Sequence, residues 1–286
     1  MIYLTHFSFP DIEVEYSFTM NQKRTCYDTF YPFLVLSKHQ LTMLDFEPVT
    51  ILYGGNGSGK TTALNVIAEK LGLKRDTLYN RSNFFEDYTA LCDFRTEQPV
   101  PEESRIITSD DVFDFMLNLR SINNGIDTKR EDLFQEYLDV KYSHFQMKSL
   151  EDYEQLKKVN LSRRKTQSKY VRENLMDNVR EHSNGESAFI YFSEHIKENG
   201  LYLLDEPENS LSPQRQQELL RFLEDSARFF GCQFIIATHS PFLLSMKNAK
   251  IYDMDEERVD VKKWTELSNV RAYYDFFMAH EEEFTS

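Results

Sequence analysis

Cysteine is scarce. Cys26, Cys92 and Cys232 are odd in number, far apart and form no C-x-x-C pair. That argues against a zinc ribbon or a disulfide framework, and the expected compartment is the reducing cytoplasm. Proline and glycine are also few, 8 and 9 in 286 residues, and no low-complexity run is present. Disorder is therefore not expected for most of the chain. No stretch approaches the roughly 18–20 consecutive apolar residues that span a bilayer. The first residues lack the basic start and apolar run of a secretory signal, so none is expected. Membrane insertion is not expected either, and any membrane role would need another chain. Positive charge is the minority sign, with 33 Lys and Arg against 47 Asp and Glu. A net charge of −14 makes nucleic acid a poor default partner unless a local basic patch exists.

What is present reads as a large α/β domain. Residues 2–7 and 12–18 alternate loosely between apolar and polar and predict strands, an antiparallel N-terminal region. Residues 49–53 are a short β-prone run that stops at Gly54-Gly55. From Lys60 to Leu71 the pattern is helical, with Leu64, Ile67, Ala68 and Leu71 on one face. Residues 75–180 are polar and predict a mainly helical insertion within one domain of residues 1–286, with one strand at 105–108. Beyond it helix and strand alternate: a helix over 187–196, buried strands at 201–204 and 234–237, and a helix opened by Ser212 as N-cap and Pro213. Residues 251–254 and 259–263 predict a hairpin. Unbroken apolar strands alternating with helices imply a mostly parallel sheet covered on both faces.

Gly54, Gly55, Asn56, Gly57, Ser58, Gly59, Lys60 and Thr61 match G-x-x-x-x-G-K-[ST], with a strand before and a helix after. Glycines let backbone N–H groups turn inward around phosphate oxygens, and the helix N-terminus adds partial positive charge. Lys60 is expected to reach the β- and γ-phosphates of ATP. The Thr61 hydroxyl is expected to ligate Mg2+, with Thr62 completing the ATP-binding set. Leu203-Leu204-Asp205-Glu206-Pro207 puts two acids at the end of an apolar strand, where ligands of α/β sheets sit. Asp205 would hold Mg2+ through a water; Glu206 is free to orient or deprotonate the attacking water. His239 follows the last core strand and would reach a γ-phosphate or that water.

Together these residues resemble the ABC (ATP-binding cassette) ATPase superfamily, whose fold is a P-loop NTPase of the ABC type. By that resemblance Asp205-Glu206 looks like the Walker B end and His239 like the switch histidine. Ser183, Asn184, Gly185 and Glu186, just ahead of a helix, resemble the signature motif. Ser210, Leu211 and Ser212 occupy the D-loop position. The spellings D-E-P-E-N-S-L-S-P and A-T-H-S-P-F-L-L are similar to small stand-alone ATPases related to RecF and SMC proteins rather than to transporter cassettes. The resemblance implies a homodimer with ATP, each phosphate loop closed by the partner's Ser183 and Gly185 amide. Three departures stand out. No convincing Q-loop glutamine follows the strand at 105–108; Ser109-Asp110-Asp111 stands there, and Gln98 is a poor alternative. Only 122 residues separate Lys60 from Ser183, without sustained heptads, which excludes a long coiled-coil arm. The adenine-stacking aromatic is open among Tyr27, Tyr31 and Phe33.

Residues 157–172 carry seven basic side chains and no acid. They read as a contact for nucleic acid or another polyanion or partner, as a contact to ATP phosphates across a dimer, or as a solvated helix paired with the chain's own acids. The functional expectation is an ATPase, an ATP-driven switch in DNA repair or defence against foreign DNA. The alternatives are a transporter's nucleotide-binding subunit and an ATP-gated regulator of a toxin or nuclease partner.

Overall fold

A computed structural model of the chain describes residues 1–23, 26, 27, 29–142, 171, 175, 184–209 and 211–285. Two compact units are present, residues 1–113 with 184–286, and residues 114–183.

The first unit is built on two sheets. β1 (Leu4–Ser8), β2 (Met43–Asp45) and β4 (Asp93–Thr96) form an antiparallel sheet in the order β2-β1-β4. β3 (Val49–Tyr53), β5 (Arg105–Thr108), β6 (Leu201–Asp205), β7 (Gln233–Thr238), β8 (Lys250–Asp253) and β9 (Asp260–Val261) form the larger sheet, ordered β5-β6-β7-β3-β8-β9. Its first five strands are parallel and β9 is antiparallel to β8. Every residue of β3, β6 and β7 is buried, as continuous Val/Ile/Leu runs in a parallel sheet require. Gln233 joins the sheets. Its buried amide accepts from the N–H groups of Tyr3 (2.8 Å) and Leu4 (2.9 Å) and donates to the carbonyls of Leu4 (2.8 Å) and Glu47 (3.3 Å).

α1 (Ile12–Asn21) overturns the strand expected over residues 12–18. The Asp11 carboxylate accepts from the Val14 N–H (2.8 Å) and caps a helix there. Ile12, Val14 and Tyr16, whose alternation suggested a strand, are exposed, while Glu15 is fully buried. Its carboxylate accepts from the Leu34 N–H and, at 2.8 Å, from the Ser37 hydroxyl. α2 (Lys60–Leu71) follows the phosphate loop and ends at Gly72, whose φ of 64° and N–H bonds to Ala68 and Glu69 close the helix. α3 (Phe85–Leu91) leads into β4. Residues 75–113 therefore lie in the first unit, not in an insertion, because β4 pairs with β1 and β5 with β6.

α4 (Ser109–Tyr142) is 34 residues long. Within the second unit, Tyr137 and Val171 are buried against Leu133, Phe134, Leu138 and Leu175. Back in the first unit come α5 (Asn184–His195), α6 (Pro213–Phe229), α7 (Pro241–Leu244), α8 (Ser268–Ala279) and α9 (Glu281–Thr285). Ser212 caps α6 with Pro213 in its first turn, as the sequence predicts. No helix among the described residues is long and apolar enough to cross a membrane.

Candidate nucleotide site

Register builds the site. Thr108 pairs with Asp205, Asp205 with Ala237, and Tyr53 with Thr238, so the carboxyl ends of four adjacent strands finish level. The segments leaving those ends, residues 54–61, 206–209 and 239–240, are therefore brought together by backbone pairing.

In the phosphate loop, Gly57 and Gly59 have φ of 85° and 92°, a conformation that strains any residue with a Cβ. A Cβ on Gly59 would also come within 2.9 Å of Leu36. Lys60 is buried, and its ammonium donates to the carbonyls of Gly54 (2.7 Å) and Gly55 (2.9 Å). The Gly55 N–H donates to the Asp255 carboxylate at 2.8 and 3.0 Å. A cavity of about 320 Å3 opens here, lined by Val35, Asn56, Lys60, Thr61, Thr62 and Glu206 among others.

Thr61 reaches across from α2, its hydroxyl donating to Asp205 at 3.1 Å. Burial pushes the Asp205 carboxyl up to about 6; the Thr61 bond and Lys60 pull it down, while Glu206 and Glu208 add to the rise. Glu206 has a φ of 48°, rare outside glycine. Its N–H still bonds the Ala237 carbonyl (2.8 Å) while its carboxylate accepts from Asn209 (3.1 Å) and borders the cavity. His239 Nδ1 lies 3.8 Å from Glu206 Oε1 and 3.6 Å from Glu208 Oε1. Glu208 and Asp255 carry no local sequence signal, since their partners lie about 30 and 200 positions away.

The remaining expected residues fall in different places. Ser183 and Ser210 lie outside the described residues, as do residues 157–172 save Val171. Asn184 and Gly185 begin α5, and Glu186 pairs with Arg215 of α6 at 3.3 Å. Leu211 is buried; Ser212 is the α6 cap. Of the three aromatic candidates, Phe33 stacks on Phe18 (4.4 Å) and Tyr27 packs edge-on against Phe84, so both serve the core. Tyr31 alone of them bonds a phosphate-loop neighbour, its hydroxyl 3.2 Å from that of Thr62. At the Q-loop position, Asp111 turns back onto β5, accepting from the Thr108 N–H (2.6 Å) and hydroxyl (2.9 Å). Gln98 is exposed just past β4. Half-buried Arg75 likewise has no sequence signal: its guanidinium donates to Asn65 (2.5 Å) and lies over the Tyr79 ring. Burial lowers its pKa, and Tyr79, Asp111, Glu69 and Asp205 pull it back up.

A larger apolar cavity, about 680 Å3, shares His239, Glu208 and Ser240 with this region and is walled by Trp264 and α8. Its lining has no glycine loop or lysine to offer phosphate, so the smaller cavity is the candidate nucleotide site.

The family model described as "AAA domain, putative AbiEii toxin, Type IV TA system" matches residues 100–245, just over half of the chain. The chain belongs to this family. The matched segment contains Asp205, Glu206 and His239, and its phosphate loop lies upstream of the match. Among solved structures, cbiO1 from Clostridium perfringens, part of the ABC transporter complex cbiONQ, is 17% identical, covers 98% of this chain and 95% of its own, and has a TM-score of 0.42. The Smc head domain from Pyrococcus furiosus, with an extended coiled coil and bound to the C-terminal domain of ScpA, is 13% identical over 85% of this chain and 95% of that one, TM-score 0.40. The SMC head domain from Thermotoga maritima is 14% identical over 77% and 92%, TM-score 0.36. None of the curated proteins matches this chain. Membership of an AAA-domain family agrees with the ATPase reading carried by the motifs.

Proposed function

We propose that the chain binds and hydrolyses Mg·ATP and uses the cycle as a switch. The observation that carries this is the meeting of Lys60, Thr61, Asp205, Glu206 and His239 at the level ends of β3, β6 and β7. ATP phosphates take Lys60 from the two loop carbonyls that it now bonds, and the loop N–H groups supply further donors. Thr61 and Asp205 fit a divalent cation: a hydroxyl and a desolvated carboxylate stand 3.1 Å apart, and burial disfavours the carboxylate's charge until a cation offsets it. Bound there, Mg2+ supplies charge neutralisation to the phosphate oxygens. Glu206 orients or deprotonates the attacking water, and His239 contacts the γ-phosphate side.

Closure is by a second copy. Ser183, Asn184, Gly185 and Glu186, with Ser210, Leu211 and Ser212, act on the partner's ATP, so ATP favours the homodimer and hydrolysis releases it. The process we favour is defence against foreign nucleic acid. The matched family's description, which speaks of a toxin and a type IV toxin–antitoxin system, supports that choice. It equally favours a second reading, in which the ATP-bound dimer restrains a toxin partner. Residues 157–172 are the candidate contact for nucleic acid or for that partner.

Glu206→Gln tests the chemistry and closure together. Steady-state assays should find Mg·ATP binding within about threefold of wild type and turnover lowered roughly 100-fold or more. Light scattering should find the variant dimeric with ATP and monomeric with ADP. Wild-type turnover in this variant would remove Glu206 as the base, and a mass indifferent to nucleotide would remove the switch.

A further inference from the structure

Glu208 is a carboxylate that the chemistry above does not use, held where carboxylates are costly. Its side chain is 5% exposed. One oxygen, Oε1, accepts three hydrogen bonds from the turn after β7: from the Thr238 hydroxyl (2.6 Å), the His239 N–H (3.0 Å) and the Ser240 N–H (3.2 Å). The other, Oε2, is buried with no hydrogen-bond partner among the described residues. Among those residues, the one group within 4.0 Å of Glu208 that can carry positive charge is His239, at 3.6 Å. A buried carboxylate in this state is expensive unless a cation or donor reaches it. Hydrogen bonds to Thr238, His239 and Ser240 also lock the backbone that carries the imidazole. The same turn is fixed from its far side, where the Ser240 hydroxyl donates to Gln216 (2.6 Å) and the Asn269 amide donates to the His239 carbonyl (3.1 Å).

We infer that Glu208 is the positioning residue for His239: it fixes the 238–240 turn and offers its carboxylate to Nδ1–H, leaving Nε2 for the nucleotide. The inference rests on the ATPase reading. At 3.6 Å the Nδ1 contact is longer than a hydrogen bond, and closure over ATP would shorten it. A histidine oriented through one ring nitrogen by a carboxylate acts through the other, the same logic by which outer-shell carboxylates orient metal-binding histidines.

The test is a double-mutant cycle in steady-state ATP hydrolysis, using wild type, Glu208→Ala, His239→Ala and the pair. Glu208→Ala should lower kcat roughly 10- to 100-fold and move the KM for ATP less than about threefold. With His239→Ala already in place, removing Glu208 should change kcat less than about twofold, since nothing remains to orient. Glu208→Gln keeps an acceptor for the three donors and should restore the melting temperature while recovering only part of kcat. Losses that multiply in the double variant, or a raised KM at unchanged kcat, would overturn the inference and leave the ATPase reading standing. A wild-type protein without ATP turnover would overturn both. If Glu208→Ala does not fold, the cycle with Glu208→Gln decides: a loss with His239 present and none without it supports positioning, and equal losses refute it.

Discussion

Asp205→Asn should stabilise the nucleotide-free protein while crippling its use of Mg2+. Asp205 is buried beside Glu206 and Glu208, and its carboxyl is pushed from 3.8 up to about 6. A rise of that size means that folding disfavours the ionised form by about 3 kcal/mol. Because the folded-state value lies above the unfolded one, the folded protein binds the extra proton between about pH 4 and 6. Its penalty is therefore absent below the unfolded value and complete once pH exceeds the folded one, so this group costs stability as pH rises through 6. An asparagine has the same shape, can still accept from Thr61, and carries no charge. Urea unfolding of both proteins in EDTA without nucleotide should put the variant ahead by up to about 3 kcal/mol at pH 8, with the gap shrinking toward zero near pH 4. Adding Mg·ATP at pH 8 should reverse the order, because only wild type gains the cation's linkage energy. A variant that is no more stable than wild type at pH 8 in EDTA would refute the claim that Asp205 waits as a desolvated charge.

Two further outcomes follow from backbone and core. Gly59→Ala sets a Cβ 2.9 Å from Leu36 at a φ of 92°; the strain is about 1–3 kcal/mol, and calorimetry should find ATP binding weakened roughly tenfold or more. Unchanged affinity would show that the loop tolerates another path. Gln233→Ala strands two N–H groups and the Leu4 and Glu47 carbonyls and should cost about 3 kcal/mol or more, read as a lower urea midpoint. A near-neutral result would mean that the two sheets hold together without it.

Where a candidate site residue belongs to a contiguous motif, the sequence marks it directly. The phosphate loop, the Asp205-Glu206 strand end and His239 each sit in a local pattern whose flanking strand or helix is also local, so the sequence alone points to them as candidates. The misreadings are where tertiary context outweighs pattern. Ile12, Val14 and Tyr16 alternate like a strand, yet Asp11 caps a helix and the residue driven inside is Glu15, because the loop at Leu34 and Ser37 supplies its donors. Residues 75–113 read as part of a polar insertion because β4 is only four residues long and mostly exposed; the strand expected at 105–108 is present as β5, and pairing of β4 with β1 and of β5 with β6 ties the segment to the first unit. Glu208 and Asp255 could not be ranked above the chain's other acids, since what distinguishes them is the amides they meet from distant segments. The aromatics before the phosphate loop were indistinguishable by type, and the core packing of Phe18 and Phe84 separates them.

The order of strands in space differs sharply from their order along the chain. β3 precedes its sheet neighbours β7 and β8 by about 180 and 200 residues. During synthesis the glycine loop therefore emerges long before the strands that fix its position, and Gly55 meets Asp255 only once β8 is in place. Such distant pairings carry a large loop-closure cost and fold slowly. A nascent chain would thus carry the loop without a cradle for ATP until β7 and β8 had also been made. Nucleotide capture then reports completed folding, and ATP would act as a late ligand that selects finished molecules from partly assembled ones.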